Sequence, residues 1–278
     1  MNLGVRAHDF GKLPVEDLAR QIASHGLNCI QLAPVKALAG FDNDAAGIDP
    51  AFAAEVRETF RRHGIHISVL GCYINLGDRN ETTRRPQLER FKHHLRAAKA
   101  FGCPIVGTET GSLNSDYSRH PDNGGDEAFA IVRESVRELV REAEQCDAIV
   151  CIEAVERYVI SSPQRLGRLV DEIASPHLKV IYDPVNLLWS TNCEREAAIL
   201  DEAHALLGEH VRILHAKDYT IENGAFRELS AGQGRLNYRK VLHWLKAQPQ
   251  PIDILLENTH PASIARTIEF VQQAYQEV

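Results

Sequence analysis

Residues 149–186 read IVCIEAVERYVISSPQRLGRLVDEIASPHLKVIYDPVN. Two compact apolar runs, Ile149–Val155 and Lys179–Asp183, flank a stretch in which Leu166, Leu169, Val170 and Ile173 return at helical spacing. The flanking runs are short and largely apolar, the signature of strands covered on both faces of a parallel sheet. Ser161 or Ser162 ahead of Pro163 supplies an N-cap with proline in the first helical turn. The stretch therefore predicts one strand–helix–strand unit.

The same unit recurs on both sides. Strands are expected at Leu3–Ala7, Cys29–Ala33, His66–Tyr73, Ile105–Thr108, Val211–His215 and Ile254–Glu257. Helical stripes fill the gaps: Val15, Leu18, Ala19 and Ile22; Val132, Val136, Leu139, Val140 and Ala143; Ile264, Ile268 and Val271. Gly26, Gly64 and Gly102 each follow a helical run and precede a strand, as a C-terminal stop would. The 278 residues thus divide into eight βα units, and a (β/α)8 barrel takes about 250 residues. A doubly wound open sheet uses the same alternation, but the first βα turn has no G-x-G-x-x-G and no G-x-x-x-x-G-K-[ST] occurs. No Pro/Ser-rich linker divides the chain. The expectation is an α/β fold, a single (β/α)8 TIM barrel domain over residues 1–278.

Composition narrows the partners. Thirty-one Lys and Arg against 38 Asp and Glu give a net charge of -7, which offers no broad footprint for nucleic acid or anionic membranes. With 44% hydrophobic and 25% charged residues, disorder and fibrous folds are excluded. No apolar run approaches the ~20 residues that span a bilayer. The start, MNLGVRAHDF, lacks the basic and apolar regions of a secretory signal. Cys29, Cys72, Cys103, Cys146, Cys151 and Cys193 are scattered without a C-x-x-C pair and read as free thiols of a reducing compartment. These features point to a cytoplasmic protein.

In such a barrel the chemistry collects at the C-terminal ends of the strands. Four consecutive strands end in groups able to bind metal or move protons: Glu153, Asp183, His215 and Glu257. One carboxylate at a strand end often caps a helix or satisfies a loop. Four inward groups at one height, three of them acidic, repel one another and lose hydration unless a cation stands between them. The oxygen-rich set with one imidazole suits Mn²⁺, Mg²⁺ or Co²⁺, and Zn²⁺ less, since no thiolate is poised nearby. One divalent metal ion is the expected cofactor.

At these residues the chain resembles the xylose isomerase-like TIM barrels, which include sugar isomerases and epimerases, inosose dehydratases and endonuclease IV-type repair enzymes. The resemblance is carried by CIEAVERY around Glu153, IYDPVN around Asp183, LHAKD around His215, AGQGRLNY after it and LLEN around Glu257, with YINLG at Tyr73–Gly77 in the N-terminal half. Glu153-Ala-Val-Glu-Arg-Tyr is similar to the E-x-V-N-R-[FY] segment of ketose 3-epimerases, with Glu156 in place of asparagine. The resemblance implies that Glu153 and Glu257 both hold the metal and exchange protons on opposite faces of a substrate.

Two departures stand out. Where the family often has D-x-x-H, Asp183 is followed by Asn186, a hydrogen-bonding group and poor metal ligand. Where an acidic residue usually positions substrate, this chain has Val159. The multi-metal nuclease branch draws histidines from strands three and four and from the loop after strand seven. Here those places hold Leu70-Gly71-Cys72, Glu109 and Glu228, which removes the metal clamp for phosphodiester cleavage.

Further pocket candidates are Lys217, against pairing with Asp218; Arg157, against a salt bridge with Glu109; Glu109 itself; and His8. His93 and His94 read as solvated, and Trp189 and Trp244 as packing. Gly111–Asp126 and Tyr219–Asn237 read as long structureless loops bordering the site. The expected activity is a metal-dependent isomerase or epimerase working beside a carbonyl, with a lyase of the inosose-dehydratase kind as the alternative. DNA repair and a non-catalytic sugar-binding barrel rank behind both. The partner is a small polyhydroxylated carbonyl compound, with no nucleic acid or membrane, and a homodimer or homotetramer is open.

Overall fold

In the computed structural model, which describes residues 1–42 and 45–278, the first half of the chain runs β1 (Leu3–Arg6), α1 (Val15–Ser24), β2 (Cys29–Leu32), α2 (Pro34–Ala37), α3 (Pro50–Arg62), β3 (His66–Gly71), α4 (Glu81–Phe101), β4 (Ile105–Glu109) and α5 (Asp126–Cys146). The second half runs β5 (Ile149–Glu153), α6 (Pro163–Ile173), β6 (Leu178–Tyr182), α7 (Glu196–Leu207), β7 (Val211–Glu222), β8 (Ala225–Ser230), α8 (Tyr238–Lys246), β9 (Asp253–Leu256) and α9 (Ile264–Gln276). Ser162 caps α6 by accepting from the Arg165 amide, with Pro163 in the first turn. Gly102 ends α4 in the left-handed region at φ 68°, where a side chain is strained.

Parallel pairing runs β6-β5-β4-β3-β2-β1-β9-β7, and β6 pairs with β7 to close the ring. Closure rules out the doubly wound sheet and makes the fold a TIM barrel. Inside the ring, Cys29, Val69, Cys151, Ile181, Ile213 and Leu255 form a compact buried cluster. The space is tight. A Cβ on Gly4 would stand 1.9 Å from the Cys29 carbonyl oxygen, and one on Gly107 would stand 2.6 Å from Ile181 Cδ1. At the strands' N-terminal end, Asp253 accepts from Asn2 Nδ2 (2.7 Å) and Ser68 Oγ (2.6 Å) and meets His66 Nε2 at 2.7 Å.

The helices lay their apolar stripes on the outside of this ring. In α5, Val132, Val136, Leu139, Val140 and Ala143 are all buried, as their spacing requires. None of the six cysteines joins a disulfide, and five are buried. No described helix is long and apolar enough to cross a membrane.

One expected loop is a correction. β7 continues past His215 to Glu222, turns at Asn223-Gly224 and returns as antiparallel β8, with Glu222 opposite Ala225. Asn223 and Gly224 have φ of 51° and 78°, the requirement of a tight two-residue hairpin. The segment from Tyr219 is thus a β-hairpin standing above the barrel mouth, and the Asn-Gly pair in the sequence is its signal. Residues 111–125 do remain without strand or α-helix, containing one 3-10 turn at Pro121–Gly124, and Asp126 opens α5. The segment is nonetheless pinned. Asn123 is buried, accepts from the Leu113 amide and donates to the Arg157 carbonyl.

Candidate active site

Glu153 ends β5, Asp183 and Glu257 follow β6 and β9 directly, and His215 lies within β7. These are four adjacent strands of the ring. Each of the four side-chain positions is nearly sealed from solvent, with residue exposures of 3, 2, 1 and 4% for Glu153, Asp183, His215 and Glu257. One ligand atom from each of Glu153, Asp183 and His215 lies within 4.8 Å of the other two. Glu257 joins through His215: its Oε1 is 3.3 Å from Nδ1, the same nitrogen that Glu153 Oε1 approaches at 3.4 Å.

Local structure aims these groups. Asp183 Oδ1 accepts from the backbone amides of Val185 (2.8 Å) and Asn186 (3.0 Å), which turns Oδ2 toward the cluster. Asp183 Oδ2 and His215 Nε2 are buried and make no hydrogen bond. Such unpartnered lone-pair atoms in a group of carboxylates are a chemical fit for a divalent cation bound by oxygen and one imidazole. Lys217 Nζ comes within 3.1 Å of Asp183 Oδ2 as an ion pair without hydrogen-bond alignment.

Lys217 shares His215's face of β7, because alternate residues of a strand point the same way. It is buried and binds Asn186 Oδ1 (2.7 Å), with Glu228 Oε2 at 3.2 Å and Glu257 Oε2 at 3.5 Å. Pairing with Asp218 does not occur. Asp218 points the other way and accepts from the amides of Tyr219, Gly232 and Leu236, fixing the hairpin's return. Asn186 in turn donates to Glu153 Oε1 at 2.6 Å, so the residue that replaces the expected histidine ties a carboxylate to the lysine.

The electrostatics follow from burial among like charges. Burial would raise Glu257, but His215, Lys217 and Arg6 outweigh it and hold the carboxyl down at about 2. Burial would lower His215, but Glu257 and Glu153 hold it up at about 9. Lys217 is likewise raised by Asp183, Glu257 and Glu228 against the penalty of burial. Asp183 is pushed up by burial more than Lys217 can pull it down. The field of the carboxylates thus draws positive charge into the centre.

Above the cluster opens a cavity of about 420 Å³, to whose wall Asn186, Lys217 and Glu257 contribute. His8, Glu109 and Arg157 also line it. His8 lies in a 3-10 turn after β1, where burial and nearby Arg6 and Lys36 lower it to about 3, so its ring is neutral. Burial and Glu153 push Glu109 up to about 7. The Arg157–Glu109 salt bridge, the alternative to a pocket role for Arg157, is absent among the described residues; Arg157 Nη2 instead lies 3.4 Å from Tyr158 Oη. A groove of about 450 Å³ between α4 and α5 is no smaller, but it is lined by helix-surface residues such as Arg85 and Glu138 and touches none of this chemistry.

Other expectations resolve individually. His94 is a correction: it is buried at 1% exposure and its Nδ1 contacts the Arg90 carbonyl one helical turn back. Trp189 stacks on Phe226 of β8, and Trp244 on His204, so both pack. Val159 is buried and donates its amide to the Gly111 carbonyl. Glu156 pairs with Arg119 at the rim. Arg6, Lys36, Tyr73 and Glu228 line the cavity without having been singled out as site residues. Arg6 ends β1 and Tyr73 follows β3 by two residues, a signal available in the sequence, whereas Glu228 arrives only through the hairpin.

Comparison with known proteins agrees with this fold. The profile of the xylose isomerase-like TIM barrel family matches residues 19–274. The chain belongs to that family. Within the xylose isomerase-like barrels, it is 30% identical over 153 residues to a D-psicose 3-epimerase of Enterocloster bolteae, a match covering 51% of this chain and 49% of that protein. The matched stretch therefore spans about half of the curated relative. A D-tagatose 3-epimerase-like protein superposes with a TM-score of 0.78 at 18% identity, covering 100% of this chain and 98% of the other. The IOLI protein, with a bound zinc atom, superposes at 0.75 and 15% identity, covering 100% and 97%.

Proposed function

We propose that this barrel is a divalent-metal-dependent isomerase or epimerase that moves a proton beside the carbonyl of a polyhydroxylated compound. The carrying observation is the meeting of Glu153 and Glu257, from strands three places apart, at one nitrogen of His215 beneath an open polar cavity. The partial match to a D-psicose 3-epimerase supports the same reading.

Glu153, Asp183, His215 and Glu257 would hold the cation. When bound it supplies Lewis-acid polarisation of a carbonyl and its neighbouring hydroxyl, which acidifies the C–H between them. Glu153 would remove that proton as general base, and Glu257, an anion until it takes a proton from solvent, would deliver that proton to the opposite face. Asn186, bonded to Glu153 Oε1, fixes the direction in which this carboxylate presents its other oxygen. Lys217 stabilises negative charge developing on substrate oxygen, and sealing by the barrel floor keeps these interactions in a low dielectric. The oxygen-rich donor set suits Mn²⁺, Mg²⁺ or Co²⁺; the zinc of the IOLI protein brings Zn²⁺ into the set worth testing.

A second reading is a lyase. Glu109 places a further carboxyl on the cavity wall, where it can protonate a departing β-hydroxyl after the same first proton abstraction. Incubation of metal-loaded protein with ketoses, keto-sugars and inososes in D₂O separates the two. Deuterium in an intact carbon skeleton means isomerase or epimerase, and a new enone or diketone absorbance means lyase. No exchange with any substrate would leave a binding barrel.

A further inference from the structure

The cations around the cavity fall into two sets. Arg6 pairs with Asp9 (2.8 Å) and Glu257 (3.5 Å), and Lys217 with Asp183, Glu228 and Glu257. Lys36 and Arg157 have no carboxylate within 4.0 Å among the described residues. Each lies instead over a tyrosine ring of the cavity. Lys36 Nζ is 4.0 Å from the centre of Tyr73, and the Arg157 guanidinium is 4.9 Å from that of Tyr158. Ring contact itself uses none of a cation's N–H donors; Arg157 spends only Nη2, on Tyr158 Oη at 3.4 Å. Elsewhere on the rim, Arg119 is neutralised by Glu156.

A neutral sugar entering this cavity would take water from two cations and return no charge. An oxyanion would restore it through charge-assisted hydrogen bonds, bidentate at arginine. Glu109 shares the wall but stands beyond ion-pairing distance of both cations. We propose that the substrate carries an anionic substituent, a carboxylate or a phosphate, held by Lys36 and Arg157 at the cavity wall. The inference rests on the isomerase reading only for placing the carbonyl end toward Glu153 and Glu257. It distinguishes this chain's substrate class from that of a neutral ketose.

Three ketoses differing only at C6 test it: D-fructose, D-fructuronate and D-fructose 6-phosphate, titrated calorimetrically into Mn²⁺-loaded protein. At least one anion should bind at least ~10-fold more tightly than D-fructose, and which one does separates carboxylate from phosphate. In the Lys36→Gln/Arg157→Gln double variant that ratio should fall to within about twofold of unity. Thermal shift with inorganic phosphate adds a probe independent of the sugar skeleton, raising Tm in the wild type more than in the double variant. Equal affinity for neutral and anionic ketoses overturns the proposal, as does a preference that survives in the double variant. If none of the three binds, equal stabilisation of both proteins by phosphate overturns it. Anion preference without hydrogen exchange in D₂O would remove the isomerase reading and leave this one standing; exchange with equal affinities does the reverse.

Discussion

Glu153 and Glu257 converge on one atom: their Oε1 oxygens lie 3.4 and 3.3 Å from His215 Nδ1, reached from β5 and β9 with two strands of the ring between them. Two carboxylates so placed flank whatever lies above His215. If both exchange protons, Glu153→Gln and Glu257→Gln should each slow solvent deuterium incorporation into substrate at least ~100-fold. A single variant that retained near-full exchange would show that only one of the two acts.

Asp183 Oδ2 and His215 Nε2, buried and without hydrogen bonds, should take up a cation. Calorimetry on chelator-treated protein is expected to show about one Mn²⁺, Co²⁺ or Mg²⁺ per chain, and free metal at 100 times Kd should add about 2.7 kcal/mol of stability. Asp183→Asn should weaken binding by at least ~10-fold. Binding of unchanged affinity in that variant, or three metals per chain, would contradict the assignment.

Lys217 is a buried cation facing Asp183, Glu228 and Glu257. Lys217→Met leaves those carboxylates without it, and a broken buried pair costs roughly 3–5 kcal/mol. Urea unfolding of the metal-free variant should show a loss of that order. A divalent cation added afterwards should recover more stability in the variant than in the wild type, because it supplies the missing charge.

At the other end of the barrel, the hydrogen bond to Asp253 raises His66 above 6.5. Burial would raise Asp253, but its bonds to His66, Ser68 and Asn2 hold it below 3.8. The histidine's contribution is complete below its unfolded value and fades as pH rises through the raised folded value. The aspartate's is complete above its unfolded value and fades as pH falls through the lowered one. His66→Gln should therefore cost most near pH 5.5 and little near pH 9. His66 is half exposed, so the loss stays below about 1 kcal/mol. A larger loss at pH 9, read from urea midpoints, would reverse the sign of this argument.

Gly4 faces the barrel interior with no room for a side chain, its added Cβ meeting the Cys29 carbonyl at 1.9 Å. Gly4→Ala should force β1 and β2 apart and destabilise by about 3 kcal/mol or more, at the upper end of overpacking effects. A Tm within a few degrees of wild type would mean that the ring relaxes freely.

Much of the architecture was legible in local pattern. The apolar run at Ile149, the helical stripe from Leu166 and the Ser162-Pro163 start mark one strand–helix unit, and eight repeats of it fit a barrel whose ring closes through the β6–β7 pairing. Glu153, Asp183, His215 and Glu257 were legible for the same reason, since strand ends in a barrel point at one place. His94 was misread because its charged helical neighbours say nothing about the side of α4 it faces. Asn223-Gly224 carried a clear hairpin signal that the polar composition around it obscured.

The sequence by itself determined the βα alternation, the family and the carboxylates and histidine that gather at the barrel mouth, because periodicity and strand ends are local properties. Only the tertiary structure decided that Asn186 bridges Glu153 to Lys217, that Glu228 reaches Lys217 from β8, and that Lys36 and Arg157 lie over tyrosines without a carboxylate partner among the described residues. The Asn186 bridge and the Lys36–Tyr73 contact depend on distances between segments remote in the chain, and an ångström or two there separates an ion pair from a cation left to a ligand.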